Sequence, residues 1–206
     1  RVLGLIAEVG HDKVLARPRP RVVVLTADTA LVEPGLPLTR LSESYDSCTT
    51  MLAASARHDG AQVFTTGIVP AEPKALAQTL SEQLVRADLV LLITEVTDDL
   101  VAMLAGLGEI DVAEVDALPG RQVFAVVGPE RAPVLVLPAG ALPAYLGYQL
   151  VARALVRRLA GLEEAALPEV VASLTRPLDA EPSRTRLVLG HYAPGRVVPV
   201  PGSRPG

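Results

Sequence analysis

The side chains best suited to chemistry follow two runs of apolar residues. The first run ends at Thr26 and leads into residues 27–29 (Ala-Asp-Thr), and the second ends at Ile93 and leads into residues 94–99 (Thr-Glu-Val-Thr-Asp-Asp). Both runs are continuous and rich in valine and leucine, which is typical of strands buried on both faces of a parallel sheet. Because such sheets bind ligands at the carboxyl ends of their strands, we expect any site to form from these two loops and the loop after Leu137.

None of these loops contains a standard catalytic or phosphate-binding motif. The pair Gly106 and Gly108 lacks the third glycine of a dinucleotide-binding loop, so it predicts the end of a helix. Sequences of the forms G-x-x-x-x-G-K-[ST], G-x-S-x-G and H-E-x-x-H are absent. The usual signatures of nucleotide-binding proteins, serine hydrolases and zinc proteases are therefore missing.

Neighbouring carboxylates have simpler explanations than catalysis. Asp98 and Asp99 fit the first turn of a helix, where acidic side chains interact favourably with the helix dipole by about 0.3–1 kcal/mol. Asp111, Glu114 and Asp116 alternate with valines, which is typical of a solvent-exposed strand.

The cysteine and histidine content excludes a zinc site and a disulfide scaffold. Cys48 is the one cysteine, and His11, His58 and His191 lie far apart without the spacing of metal ligands. No histidine is close to Cys48 in sequence, so we expect a buried or unreactive thiol.

Composition restricts the class of protein further. The chain has 206 residues, of which 50 % are hydrophobic and 20 % charged, enough for one folded core with a small appendage. Its net charge is −4 and its basic residues are scattered, so we predict no nucleic-acid partner. No apolar run reaches the roughly 20 residues of a membrane-spanning helix and no signal peptide begins the chain, so we predict no membrane span and a cytoplasmic location. Because the chain begins with Arg1 instead of Met, we expect a piece of a longer protein.

The elements that must position these loops alternate between strand and helix. Strand patterns cover residues 21–26, 62–66, 88–93, 109–115, 122–127 and 134–137, and helix patterns cover about 46–59, 73–86, 98–107 and 142–159. The alternation predicts an α/β domain at residues 21–162 with three layers and a mostly parallel sheet. Residues 1–20 are expected to be the tail of a preceding domain and a proline-rich hinge. Residues 163–206 contain extended pieces at 186–189 and 196–200 and predict part of a small β domain.

Several short segments occur in the order found in one known family. They are residues 3–10 followed by 17–22 (Arg-Pro-Arg-Pro-Arg-Val), 31–35, 45–47, 67–70, 87–90, 137–161 and 199–203. This order resembles the molybdopterin molybdenumtransferase (MoeA/gephyrin) family over residues 1 to about 203, without the family's first two domains and the end of its last. The resemblance implies a MogA/MoaB-like molybdopterin-binding domain followed by a small β module. It also implies a dimer that inserts molybdate into adenylylated molybdopterin with Mg²⁺.

The loops that hold the ligand in this family are altered here. The positions that match the family's acidic pair hold Thr29 and Ala30, and the position of its glycine holds Asp28. The glycine-rich loop after the second strand is replaced by residues 94–99, where Glu95 would repel a phosphate. Carried over position by position, the resemblance implies no metal ligand, no retained catalytic residue and a set of vestigial cofactor-binding positions. These are Thr26, Asp28, Thr29, Ser47, Thr94, Glu95, Thr97, Asp98, Pro119, Gly120, Arg121, Pro138 and Gly140.

Two functions of different classes are compatible with this pattern. In the first, the chain acts in molybdenum cofactor biosynthesis with a degenerate site, so that catalysis is weak or lost and the molybdopterin-type ligand is bound weakly. The alternative is a non-catalytic scaffold that binds a peptide partner between the α/β domain and the small β module, for example as a cell-division adaptor. Both functions predict a homodimer.

Overall fold

A six-stranded sheet forms the centre of the molecule. The computed structural model describes residues 2–113, 122–127, 131–162, 167–178 and 187–200. The sheet contains β1 (Arg21–Ala27), β4 (Gln62–Val69), β5 (Leu89–Ile93), β6 (Gly108–Ala113), β7 (Gln122–Val127) and β8 (Ala132–Leu137). Two-residue strands β2 (Leu31–Val32) and β3 (Ser44–Tyr45) pair separately beside it.

The order of the sheet is β4-β1-β5-β8-β7-β6. Neighbours from β4 to β8 run parallel, whereas β7 is antiparallel to both β8 and β6. The predicted mostly parallel sheet is therefore confirmed. The carboxyl ends of β1, β5 and β8 meet at one edge.

Helices cover both faces of this sheet and complete the three predicted layers. One face packs α2 (Cys48–His58), α5 (Ala141–Gly147) and α6 (Arg153–Leu159) around Leu52 and Tyr148. The other packs α3 (Pro73–Leu84) and α4 (Asp98–Leu107) around Leu80 and Leu104. Each fully buried leucine contributes about 1.5–3 kcal/mol relative to exposure. All five residues of β5 are buried, as a strand covered on both sides requires.

Local sequence features explain where α3 and α4 begin. Pro73 lies at the start of α3, where its fixed φ suits a first turn. The residue that caps α4 is Thr97, whose side chain accepts a hydrogen bond from the Leu100 N–H at 3.2 Å. The prediction that Asp98 and Asp99 lie in the first turn of a helix is confirmed, since α4 begins at Asp98. The predicted stop at Gly106 and Gly108 is confirmed, since α4 ends at Leu107.

The long helix predicted at 142–159 is present but is not uniform. Residues Tyr148–Ala152 form a π-helical segment between α5 and α6. The fully buried Tyr148 Oη donates a hydrogen bond to Asp59 Oδ2 at 2.8 Å, and the Arg153 Nε lies 3.3 Å from Asp59 Oδ1. These contacts tie the π segment to the carboxyl end of α2.

Short elements flank the main domain. Helix α1 (Val2–Glu8) has no buried residue. At the other end, β9 (Ser173–Leu174), β10 (Gly190–Ala193) and β11 (Arg196–Pro199) form a three-stranded sheet with the order β10-β11-β9. The extended piece predicted at 186–189 directly precedes β10, whose pairing with β11 begins at Gly190, and its first residue lies outside the described residues. Among the helices that the structure describes, none combines the length and hydropathy that crossing a membrane requires.

Candidate functional site

A cavity of about 320 Å³ lies at the carboxyl edge of the sheet, between the loops that follow β1 and β5. The first turns of α3 and α4 close its sides. Its lining residues are Ala27, Asp28, Thr29, Ala71, Pro73, Leu76, Thr94, Glu95, Thr97, Asp99 and Leu100. Five residues predicted from the sequence as site residues thus come together here: Asp28, Thr29, Thr94, Glu95 and Thr97.

Hydrogen bonds fix the two loops against each other. The Thr94 Oγ1 donates to the Ala27 carbonyl at 2.9 Å and is buried, so the ends of β5 and β1 are joined directly. The Asp28 Oδ1 accepts from the Ala30 N–H at 2.6 Å, which folds the chain back immediately after β1. These two bonds therefore hold the start of each loop close to the end of β1.

A second tether holds the outer wall of the cavity. The Arg40 Nη2 donates to the Thr29 carbonyl at 3.2 Å, and the Arg40 Nε lies 2.8 Å from Glu43 Oε1. The Arg40 guanidinium, helped by the N–H groups of Thr39 and Arg40, lowers the pKa of Glu43 to about 2. The carboxylate therefore stays charged and keeps Arg40 directed at Thr29.

The polar lining of the cavity is acidic. Carboxylates of Asp28, Glu95 and Asp99 lie around it, and the lining residues include no lysine or arginine. Asp99 was not predicted as a site residue, because its acidic side chain was explained by its place at the start of a helix. The signal that could have found it is the short distance in sequence from β5 to α4, which places the first turn of α4 at the same edge of the sheet.

Thr26 lies on the opposite face of the sheet from the cavity. Because side chains alternate along a strand, Thr26 faces α2 while Ala27 faces α3. The Thr26 and Thr49 hydroxyl oxygens are 2.7 Å apart, and Asp46 Oδ2 accepts from Thr49 Oγ1 at 2.5 Å. This partly buried chain of polar groups orients the start of α2, and no sequence pattern indicates the role of Thr49.

The remaining predicted site positions are not among the residues that line the cavity. Ser47 precedes α2 and Gly140 precedes α5, and both are exposed, as is Asp98 at the start of α4. Pro138 follows β8 and is half-buried. Pro119, Gly120 and Arg121 lie outside the described residues, as do Glu114 and Asp116 of the predicted acidic strand.

Cys48 is buried, as expected for a thiol without a partner in catalysis. Burial raises the pKa of Cys48 above its usual value, and the neighbouring Asp46 carboxylate raises it further. A thiol that stays protonated is a poor nucleophile, so Cys48 is a packing residue of α2.

Known proteins are similar to this chain in sequence. Two molybdopterin molybdenumtransferases of Mycobacterium tuberculosis (strain ATCC 25618 / H37Rv) match most of the chain. Transferase 1 is 30 % identical over 197 residues, covering 91 % of this chain and 45 % of that protein. Transferase 2 is 29 % identical over 208 residues, covering 93 % of this chain and 50 % of that protein. The chain is therefore a MoeA homologue.

The resemblance predicted from the sequence motifs is thereby confirmed. The MoeA-like chain spans about half the length of the curated relatives that it matches. The crystal structure of the molybdopterin biosynthesis MoeA protein from Pyrococcus horikoshii has the same fold, with a TM-score of 0.83 and 21 % identity over 96 % of this chain and 49 % of that one. No family model matches the chain.

The polar lining of the cavity does not fit the phosphate of the ligand that the resemblance implies. A phosphate needs backbone N–H groups or cations, whereas the cavity presents three carboxylates. Within the described ranges no three His, Cys, Asp or Glu side chains are grouped closely enough to hold a metal ion. Thr29 and Ala30 supply one hydroxyl and one methyl group where the family has its acidic pair.

Proposed function

We propose that this MoeA-like domain acts in molybdenum cofactor biosynthesis without transferring molybdate itself, and that it assists an active member of the family. The observation that carries the proposal is the acidic lining of the cavity at the carboxyl edge of the sheet. Carboxylates raise the free energy of a bound phosphate by like-charge repulsion, which is strongest where water is excluded. The loss of binding removes the positioning on which transfer depends.

The relatives support the choice of pathway. Both matching proteins of M. tuberculosis are named molybdopterin molybdenumtransferases, so one organism contains two copies of this kind. A second copy is free to lose its chemistry while the first retains it. The present chain has the fold of the family with altered ligand loops, as we expect of a copy that no longer performs the transfer.

Two measurements test the two parts of the proposal. The chain is incubated with adenylylated molybdopterin, Mg²⁺ and molybdate, and we expect no release of AMP above the rate without protein. Deletion of the gene that encodes the chain should lower the cellular content of molybdenum cofactor, and the wild-type gene should restore it. Release of AMP would contradict the loss of catalysis, and unchanged cofactor content in the deletion strain would contradict the pathway.

The small β module favours a second candidate function, that of a scaffold for a peptide. Leu174 and Tyr192 both pair with Val197, so they share one face of its sheet, and each is about half exposed, which leaves apolar surface on that face. Strand β10 is also an edge strand, to which an extended peptide could add by backbone hydrogen bonds.

Matched variants would identify such a peptide partner. Proteins retained by the wild-type chain are compared with those retained by the Tyr192→Ser variant and by the Val85→Ser variant, whose change lies on α3's carboxyl side. We expect the partner to be lost with Tyr192→Ser and kept with Val85→Ser. Equal retention by all three chains would exclude the β module as the binding surface.

A further inference from the structure

We propose that the cavity between the β1 and β5 loops binds a small organic cation, consisting of an ammonium group on a compact apolar body. The inference concerns the same cavity as the proposed function and rests on the same loss of anion binding. It goes beyond that function because it assigns the altered cavity a ligand of the opposite charge.

The shape of the cavity suits a small organic molecule. Its volume of about 320 Å³ falls within the range of ligand pockets in proteins, which begins at roughly 300 Å³. Ala71 and Pro73 form an exposed apolar part of its wall, and the buried side chains of Ala27, Leu76 and Leu100 lie at its base. An apolar body of a few carbon atoms would contact this wall and displace water from it.

The polar side chains of the lining favour a positively charged ligand. Asp28, Glu95 and Asp99 contribute carboxylates, and Thr29, Thr94 and Thr97 contribute hydroxyl oxygens that can accept hydrogen bonds. An ammonium group donates three hydrogen bonds and accepts none, so it matches a wall of acceptors. An anion would meet three negative charges and no lysine or arginine among the lining residues.

The size of the cavity favours an organic ligand over a metal ion. In the ranges that the structure covers, no three acidic, histidine or cysteine side chains are grouped closely enough to hold one metal ion. A space of about 320 Å³ is also much larger than a metal ion, and an organic body would fill it.

Three probes with the same body and different charges test the proposal: benzylamine, benzyl alcohol and benzoate. Binding is followed by amide NMR shifts of the isotopically labelled chain. We expect saturable shifts at Thr94, Glu95 and Thr97 with benzylamine, binding at least about tenfold weaker with benzyl alcohol, and no shifts at these residues with benzoate. Raising the salt concentration should weaken the benzylamine shifts. Benzoate binding equal to that of benzylamine, or benzylamine shifts spread over the whole surface, would overturn the proposal.

Charge-neutral variants localise the effect. Glu95→Gln combined with Asp99→Asn should weaken benzylamine binding by about tenfold or more, whereas Glu82→Gln on the exposed face of α3 should leave it unchanged. Equal weakening by Glu82→Gln would show a non-specific charge effect and overturn the proposal. The AMP-release assay separates the two conclusions. Absence of AMP release together with absence of benzylamine binding would overturn only this inference, and AMP release would overturn the proposed function.

Discussion

The Arg40 side chain holds the Thr29 carbonyl by a hydrogen bond, and the Glu43 carboxylate holds the Arg40 side chain by an ion pair. The pKa of Glu43 is lowered to about 2 from an ordinary value of 4.5, first by the Arg40 guanidinium and then by two backbone N–H groups. A lowered carboxyl pKa in the folded state stabilises that state above the unfolded pKa, and this stabilisation is lost as pH falls from about 4.5 towards about 2. The wall of the cavity at Thr29 should therefore loosen only in that acidic range.

An NMR titration of the Glu43 carboxyl resonance checks this expectation. We expect a midpoint near 2, and the Thr29 amide shift should change over the same range. In the Glu43→Gln variant the part of the Thr29 shift change that follows the Glu43 midpoint should be lost. Glu82→Gln is the matched control, because Glu82 is exposed and bonded to Gln78 on the same helix. A Glu43 midpoint near 4.5 would contradict the tether.

Tyr148 offers a second test at the level of one side chain. Its hydroxyl group bonds to Asp59 in the interior, and burial followed by the Asp59 carboxylate raises the pKa of the phenol. Tyr148→Phe keeps the ring and removes one hydrogen bond to a charged group, so we expect a loss of about 1–2 kcal/mol in the free energy of unfolding. Urea denaturation measures the difference. Tyr145→Phe, at a half-buried position three residues earlier, should change stability by less.

Single residues also show where the sequence was an incomplete guide to the site. Asp28, Thr94 and Glu95 were found because they directly follow buried strands, and strand ends define the site in this class of sheet. Asp99 was missed because acidic residues in the first turn of a helix have a sufficient local explanation. Arg40 was missed because its contact with Thr29 joins two loops, and no periodic pattern encodes such a contact.

At the scale of elements, apolar patterns predicted what depends on burial. The runs that became β1 and β5 are continuous because both faces of these strands are covered. The π segment at Tyr148–Ala152 could not be predicted, since its apolar spacing differs little from that of an α-helix. Asp59, which bonds to this segment, lies 89 residues from Tyr148 in sequence.

The junction of α4 and β6 depends on one glycine. A Cβ atom at Gly108 would meet the Val126 carbonyl oxygen and lie 2.7 Å from the Val127 Cα, both of them backbone atoms of β7 that cannot turn aside. We expect Gly108→Ala to destabilise the fold by about 1–3 kcal/mol, because β6 and β7 must separate.

Gly106→Ala is the matched control for this prediction. Gly106 lies within α4, and a Cβ atom there would have no neighbour within 4 Å. We expect this variant to be more stable than the wild type by about 0.5–1 kcal/mol, because alanine favours a helix. Thermal unfolding of both variants measures whether each substitution raises or lowers the stability of the fold. Equal effects of the two substitutions would contradict close packing of Gly108 against β7.

At the scale of the whole molecule, apolar surface outside the main core indicates association. Helix α1 buries none of its residues, and Val2, Leu3 and Leu5 are each more than 60 % exposed. Clusters of this kind are rare on proteins that stay monomeric. We expect the chain to form a homodimer in which α1 takes part, as sedimentation velocity would measure.

Charged variants test the role of α1 in association. Leu3→Lys combined with Leu5→Lys should shift the chain towards the monomer, because two ammonium groups cannot be buried without partners. Val85→Lys should not, since Val85 is an isolated exposed side chain beyond α3. A wild-type chain that sediments as a monomer at all concentrations would contradict the prediction.

The strand order of the central sheet has a consequence for how the chain folds. Strands β6, β7 and β8 form an antiparallel meander within one stretch of sequence, from Gly108 to Leu137, whereas β1 reaches both of its neighbours through long crossovers. Contacts between distant residues form slowly, because a longer loop must be closed first. The meander should therefore assemble early and β1 should join late. Since β1 and β5 carry the loops of the cavity, we expect the binding site to be among the last parts to become structured when the complete chain refolds.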